Sequence, residues 1–144
     1  GHSAVLTPGT AAQRCVAVPF CLYGKGCYAI MEKAHQDIPW VPHAEISPEP
    51  CGPGVQRRVL AYSKDAMCVE NTFETGGVGA MHCHPHTQIT YIVSGRYRFT
   101  IGDETREVGP GDTLLKQNGV MHGCVCLEGG VMLDFFTPMR EDFV

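Results

Sequence analysis

The sequence predicts an all-β fold, a jelly-roll barrel preceded by an extended N-terminal arm. Three observations carry this. From Arg57 onward, short β-rich runs are separated by glycine and asparagine turns. Along residues 96–101, Tyr97, Phe99 and Ile101 alternate with Arg96, Arg98 and Thr100, the period of a strand with one buried face. Residues 4–50, by contrast, show little periodicity and carry prolines at 8, 19, 39, 42, 48 and 50, which suits a chain that wraps a core rather than builds one.

Taken in order, residues 1–3 read as the remnant of a cleaved tag, 4–50 as the arm and 51–144 as the barrel domain. Residues 27–35 could form one short helix within the arm, against the glycines at 24 and 26. An arm of this kind can pack across a second subunit, so a homodimer is expected. The first barrel strands are placed at 57–62 and 66–73, around a turn at 63–65. Residues 88–93 and 96–101, joined at Ser94-Gly95, read as the clearest hairpin, with the apolar set facing the core. Gly102-Asp103 supplies the next turn, Gly109-Pro110-Gly111-Asp112 a tight corner that continues the meander, and 131–137 a late strand. Closure into a jelly roll would bring His122 beside the histidines at 82 and 84.

The length of 144 residues suits a single domain with one continuous core. A net charge of -4 without a basic stripe argues against nucleic-acid binding, and the adjacent pair Arg57-Arg58 reads as a solvated strand start. No apolar run approaches the roughly 20 residues that span a bilayer, so no membrane partner is expected. The 8 cysteines form no CxxC pair, and the regular spacing of Cys15, Cys21 and Cys27 is not a usual zinc spacing. A reduced, cytoplasmic protein is expected, with Cys124 and Cys126 packing inward as small apolar residues.

The chemistry concentrates in two glycine-bracketed segments. One reads Gly76-x5-His82-x-His84-x3-Gln88-x6-Gly95, the other Gly111-x5-Gln117-x-Gly119-x2-His122-x3-Cys126. Residues two apart on a strand point the same way, so His82 and His84 share a face. Neutral imidazoles ligate divalent ions, and an amide oxygen such as that of Gln88 adds a weak ligand without charge. An ion held by His82, His84, Gln88 and His122 keeps nearly all its charge, which favours Lewis-acid work on an anion. Zinc, nickel, iron and manganese all fit such donors. His86 continues the period and competes with Gln88. A strand kinked after Pro85 favours Gln88 and leaves His86 to support a ligand or touch substrate.

These paired motifs resemble the cupin superfamily, whose fold is a double-stranded β-helix. Gln88 stands where that pattern usually has glutamate, Gln117 where it has proline and Cys126 where it has asparagine. A narrower resemblance runs from about Trp40 to Val144, through HCHPHTQITYIVSG, GPGDTLLKQNGVMHG and DFFTPMREDFV, to the small cupins of pectin and alginate breakdown. That resemblance implies a metal on His82, His84, Gln88 and His122, and a catalytic trio of Asp134, Phe136 and Arg140. It also implies the substrate, a 4,5-unsaturated monouronate whose ring is opened to a linear 4-deoxy-5-keto uronate.

From the residues themselves, Asp134 and Phe136 share one parity, and a carboxylate inside the apolar run VMLDFF calls for a partner or a task. A salt bridge to Arg140 is the structural alternative. Two other functions stay open: a metal-dependent cupin dioxygenase, and a non-catalytic sugar-binding cupin.

Overall fold

The computed structural model describes residues 35–144. The tag remnant, most of the arm, nearly all of the short helix at 27–35 and the cysteines at 15, 21 and 27 lie outside the described residues. The described part of the arm bears one isolated parallel bridge, Gln36 to Tyr62, and a 3-10 turn at His43–Glu45 with no buried residue.

Ten strands follow. A six-stranded antiparallel sheet has the order β1 (Glu49–Gly52), β2 (Val55–Tyr62), β3 (Met67–Phe73), β10 (Gly130–Thr137), β5 (Thr87–Ile92) and β8 (Thr113–Lys116). A four-stranded sheet has the order β4 (Val78–His82), β9 (His122–Glu128), β6 (Arg96–Ile101) and β7 (Glu104–Val108). The fold is therefore all-β. Among the described residues no helix is long and apolar enough to cross a membrane.

Alternation along each strand decides what lies between the sheets. Val55 on β2, Met67, Val69 and Phe73 on β3, Ile92 on β5, Tyr97 and Phe99 on β6, and Met132 and Phe136 on β10 are all buried. Cys124 and Cys126 on β9 are buried too, as expected, and are free thiols like Cys51 and Cys68. Cys83 is disulfide-bonded, which departs from the fully reduced set expected. The buried side chains form two clusters. One gathers Phe73, Ile92, Tyr97, Phe99 and Met132; the other gathers Tyr62, Met67, Val69, Phe136 and Met139.

The expected hairpin across Ser94-Gly95 does not form. β5 pairs with β10 and β8, whereas β6 pairs with β7 and β9, so the turn carries the chain from one sheet to the other. The packing of Gly95 on β10's start enforces this. Gly95 has φ +86°, and a Cβ on either Gly95 or Gly130 would collide with the facing backbone. The corner at Gly109–Asp112 makes a second crossing, from β7 to β8, closed by the Asp112 carboxylate accepting from the Gly109 N–H at 2.8 Å. The strands thus wrap two sheets rather than continue a meander. The Gly102 turn between β6 and β7 is a true hairpin.

Candidate metal centre and pocket

His82, His84 and His122 converge, each with a ring nitrogen within 4.8 Å of the others'. β4 supplies His82 and β9 supplies His122, and these are cross-strand partners. Pairing runs from Gly79–Cys124 to His82–His122, so β4 carries one extra residue, a bulge that re-aims His82. β4 stops at His82. His84 therefore arrives from the turn through Pro85, rather than from the same strand face as His82. The rings of His82 and His122 are 4.3 Å apart, those of His84 and His122 5.0 Å.

Backbone carbonyls fix two of these rings. Nδ1 of His82 donates to Ala80 O at 2.7 Å, and Nδ1 of His122 donates to Val120 O at 3.0 Å. Each Nε2 is then left as a lone-pair donor, the tautomer a metal needs. Nε2 of His122 is buried and has no hydrogen-bond partner. Burial, opposed by the Val120 bond, holds the His122 pKa at about 3; burial and the Arg140 charge hold that of His84 at about 4. These two imidazoles are neutral at physiological pH.

Gln88, buried on β5, completes the set. Its Oε1 lies 2.8 Å from His84 Nε2. Without an ion that contact is a hydrogen bond, and two adjacent ligands of one small divalent ion stand about 3 Å apart at ordinary bond lengths. The residues present fit a divalent metal. His86 stands outside the cluster: its Nε2 bonds Met139 O at 3.0 Å, and its ring packs edge-on against Phe136.

The rest of the site lies on the inward face of the six-stranded sheet. Asp134 on β10 is paired with Thr90 on β5 and is 5 % exposed. Its Oδ1 accepts from Gln88 Nε2 at 2.8 Å and from the Thr90 hydroxyl, and its Oδ2 accepts from Asn71 Nδ2 at 2.6 Å. Lys116 on β8, wholly buried, donates to Thr90 Oγ1 at 2.5 Å and stands 4.0 Å from Asp134 Oδ1. Burial pushes the Lys116 pKa down and the Asp134 charge raises it. The salt bridge between Asp134 and Arg140 is therefore not formed. Arg140, also buried, grips Asp142 with two parallel bonds, Nε to Oδ1 at 2.9 Å and Nη2 to Oδ2 at 2.7 Å. Those bonds hold the Asp142 carboxyl below its usual range. Phe136 packs against His84 at 5.6 Å and beneath Arg140 at 5.3 Å.

A cavity of about 380 Å³ joins these groups. Its wall includes His82, His122, Gln88, Lys116, Asp134, Phe136 and Arg140. All seven residues expected from the sequence thus stand in one neighbourhood. Lys116, Thr90, Asn71 and Arg57 were not foreseen. Arg57, expected in solvent, shares on β2 the inward parity of Val55 and lines the cavity. That parity was readable, as was that of Leu114 and Lys116 on β8, where a lysine takes a core position.

Residues 69–136 match the model of the Cupin domain family. The chain is 38% identical over 98 residues to the pectin degradation protein KdgF of Dickeya dadantii, covering 67% of this chain and 89% of that one. Among solved structures it is similar to an RmlC-like cupin from Shewanella frigidimarina, at 32% identity and TM-score 0.73, covering 76% of this chain and 99% of the other. It is also similar to KdgF from Halomonas sp., at 34% identity and TM-score 0.69, covering 73% and 97%.

Proposed function

The chain belongs to the cupin superfamily and resembles its pectin-degradation members, and we propose that it opens the ring of 4,5-unsaturated monouronates in a metal-dependent isomerisation. The observation that carries this is a buried carboxylate, Asp134, hydrogen-bonded to the same glutamine that stands 2.8 Å from a histidine of the candidate metal cluster. A proton-transfer group is thereby coupled to a cation site across one amide.

The substrate is both a hemiacetal and an enol ether. As the proton leaves the anomeric hydroxyl, its electron pair forms the C1 carbonyl and the bond from C1 to the ring oxygen breaks. The enol left at C5 becomes a ketone when C4 gains a proton. No atom is lost, so one residue that accepts and returns a proton suffices.

His82, His84, Gln88 and His122 would hold one divalent ion. Such an ion supplies Lewis-acid stabilisation of the substrate carboxylate and of negative charge developing on the ring oxygen. Asp134 is the proposed general base and then acid. The Thr90 hydroxyl, itself held by Lys116, fixes the direction in which Asp134 Oδ1 points. Phe136 walls the sugar pocket and keeps water from it. Arg140 reaches the substrate through the edge of its guanidinium that Asp142 leaves open.

The same reading includes a homodimer and a cytoplasmic place of action. The exposed apolar residues Ile89, Tyr91, Leu115 and Phe135, on the outer face of neighbouring strands β5, β8 and β10, support the dimer. Among the described residues, four free thiols suit a reducing compartment, and the bonded Cys83 does not.

Loss of the conjugated double bond, followed by ultraviolet absorbance and NMR with unsaturated galacturonate and its epimers, tests the proposal. Asp134→Asn is expected to keep its metal and lose at least about 100-fold in kcat; His82→Ala is expected to lose metal and turnover together. Parent-like turnover by Asp134→Asn would remove Asp134 from the mechanism. Oxygen consumption without ring opening would favour a dioxygenase.

A further inference from the structure

We propose that Arg57 binds the uronate carboxylate and selects acidic sugars over neutral ones, an inference that rests on the ring-opening reading for its substrate. Arg57 lies on the cavity wall, diagonal to the catalytic strand. Its cross-strand partner on β3 is Asn71, which bonds Asp134.

Three features separate Arg57 from an ordinary surface arginine. Its Nε is buried and has no hydrogen-bond partner. No carboxylate among the described residues pairs with it, whereas Arg58, its neighbour in sequence, is bonded to Glu70 and to Ile46 O. Its guanidinium is also fixed in place, Cζ lying 3.7 Å from the centre of the Phe143 ring. A buried charged donor without an acceptor is costly, and persists where a ligand supplies the acceptor.

The balance of charge in the cavity points the same way. The charged side chains on its wall are Arg57, Lys116, Arg140, Asp134 and Asp142. Lys116 stands with Asp134 and Arg140 with Asp142, so each of those charges is answered within the protein. Arg57 is the cation left over. Asp142 takes the Nε edge of Arg140 and leaves only its outer edge free, whereas no carboxylate among the described residues takes either edge of Arg57. Both guanidiniums rest on the one ring of Phe143, Arg140 at 4.3 Å, so that ring sets their spacing. A sugar carrying a hydroxymethyl group in place of the carboxylate would leave the buried Nε of Arg57 unanswered.

The experiment compares the metal-loaded parent with Arg57→Met, which keeps a stem against Phe143 but removes the fork, and with Arg57→Lys, which restores charge without the fork. KM and kcat are measured on unsaturated galacturonate, and the binding of saturated galacturonate and of galactose by calorimetry. Arg57→Met is expected to raise KM at least tenfold with kcat within threefold and metal content unchanged, and to weaken galacturonate binding to the same degree. Arg57→Lys should fall between. Galactose binding should not respond. A folded, metal-loaded Arg57→Met with parental KM and parental galacturonate affinity overturns the inference, as does loss of cooperative melting in both variants, which would make Arg57 structural. A parent that binds galacturonate, loses that affinity in Arg57→Met and yet turns nothing over would sink the ring-opening reading and leave the role of Arg57 standing. A parent that binds no uronate would sink both.

Discussion

Lys116 and Asp134 form a buried pair whose removal, one partner at a time, should cost far more than removal of both. The ammonium and Oδ1 are 4.0 Å apart, with side chains 2% and 7% exposed. At an effective dielectric of about 20, two unit charges at that distance attract by about 4 kcal/mol. Taking each ion out of water costs several kcal/mol, so the intact pair is near neutral for stability. Lys116→Met leaves the carboxylate facing Thr90, Gln88 and Asn71 without its cation, and Asp134→Asn leaves the ammonium without its anion. Each should lose about 3–5 kcal/mol. For a barrel of this size that is a fall in Tm of about 12–20 °C. The double variant should lose no more than either single one, giving a coupling of about 4 kcal/mol. Urea unfolding of the metal-free proteins at neutral pH measures it, since bound metal would add a ligand contribution that differs between variants. Additivity of the two single losses to within about 0.5 kcal/mol would refute a direct interaction between the two charges.

Other consequences concern the metal cluster and the crossings. Gln88→Glu would put a second carboxylate 2.8 Å from Asp134, where the amide now donates; metal content should hold while kcat falls at least about 100-fold, and undiminished turnover would show that the amide donor is dispensable. His84 and His122 have folded pKa values near 4 and 3, below the ordinary 6.5. Their protonation therefore favours the unfolded chain, and stability of the metal-free protein should be full above about pH 6.5 and decline as pH falls toward 4. Urea midpoints that stay flat from pH 7 to 4.5 would contradict this. His122→Ala should bind less than a tenth of the parental metal by elemental analysis after dialysis. Gly130→Ala should melt well below the parent, because its Cβ would meet the Ser94 carbonyl at the crossing.

Much of this was legible because the decisive signals are local. Spacing within eight residues singled out His82, His84 and Gln88 as candidate ligands, and parity within three put Asp134 and Phe136 on one side of β10. Partnership between strands is not local. Ser94-Gly95 has the chemistry of a hairpin turn, and nothing in those two residues states that β5 will pair with β8 and β10 instead. The same blindness hid what joins Lys116 and Thr90 to Asp134, although the core position of Lys116 follows from parity alone. Each looks unremarkable alone, and their connection to Asp134 exists only through the register of β8 on β5 and of β5 on β10. Arg57 is obscured for another reason: an arginine beside an arginine suggests solvent, yet alternate residues of one strand face opposite media, so the pair divides between outside and cavity.

The place of β10 in the six-stranded sheet has a consequence for how the protein is made. It is inserted between β3 and β5, strands that precede it by more than fifty and about forty residues respectively. A ribosome will already have released both neighbours before the strand that joins them emerges. Until then two open β edges wait, and Asp134, the proposed general base, is missing from between its hydrogen-bond donors. Newly made chains should accordingly be prone to aggregate until that strand emerges, and the six-stranded sheet should close in one docking event.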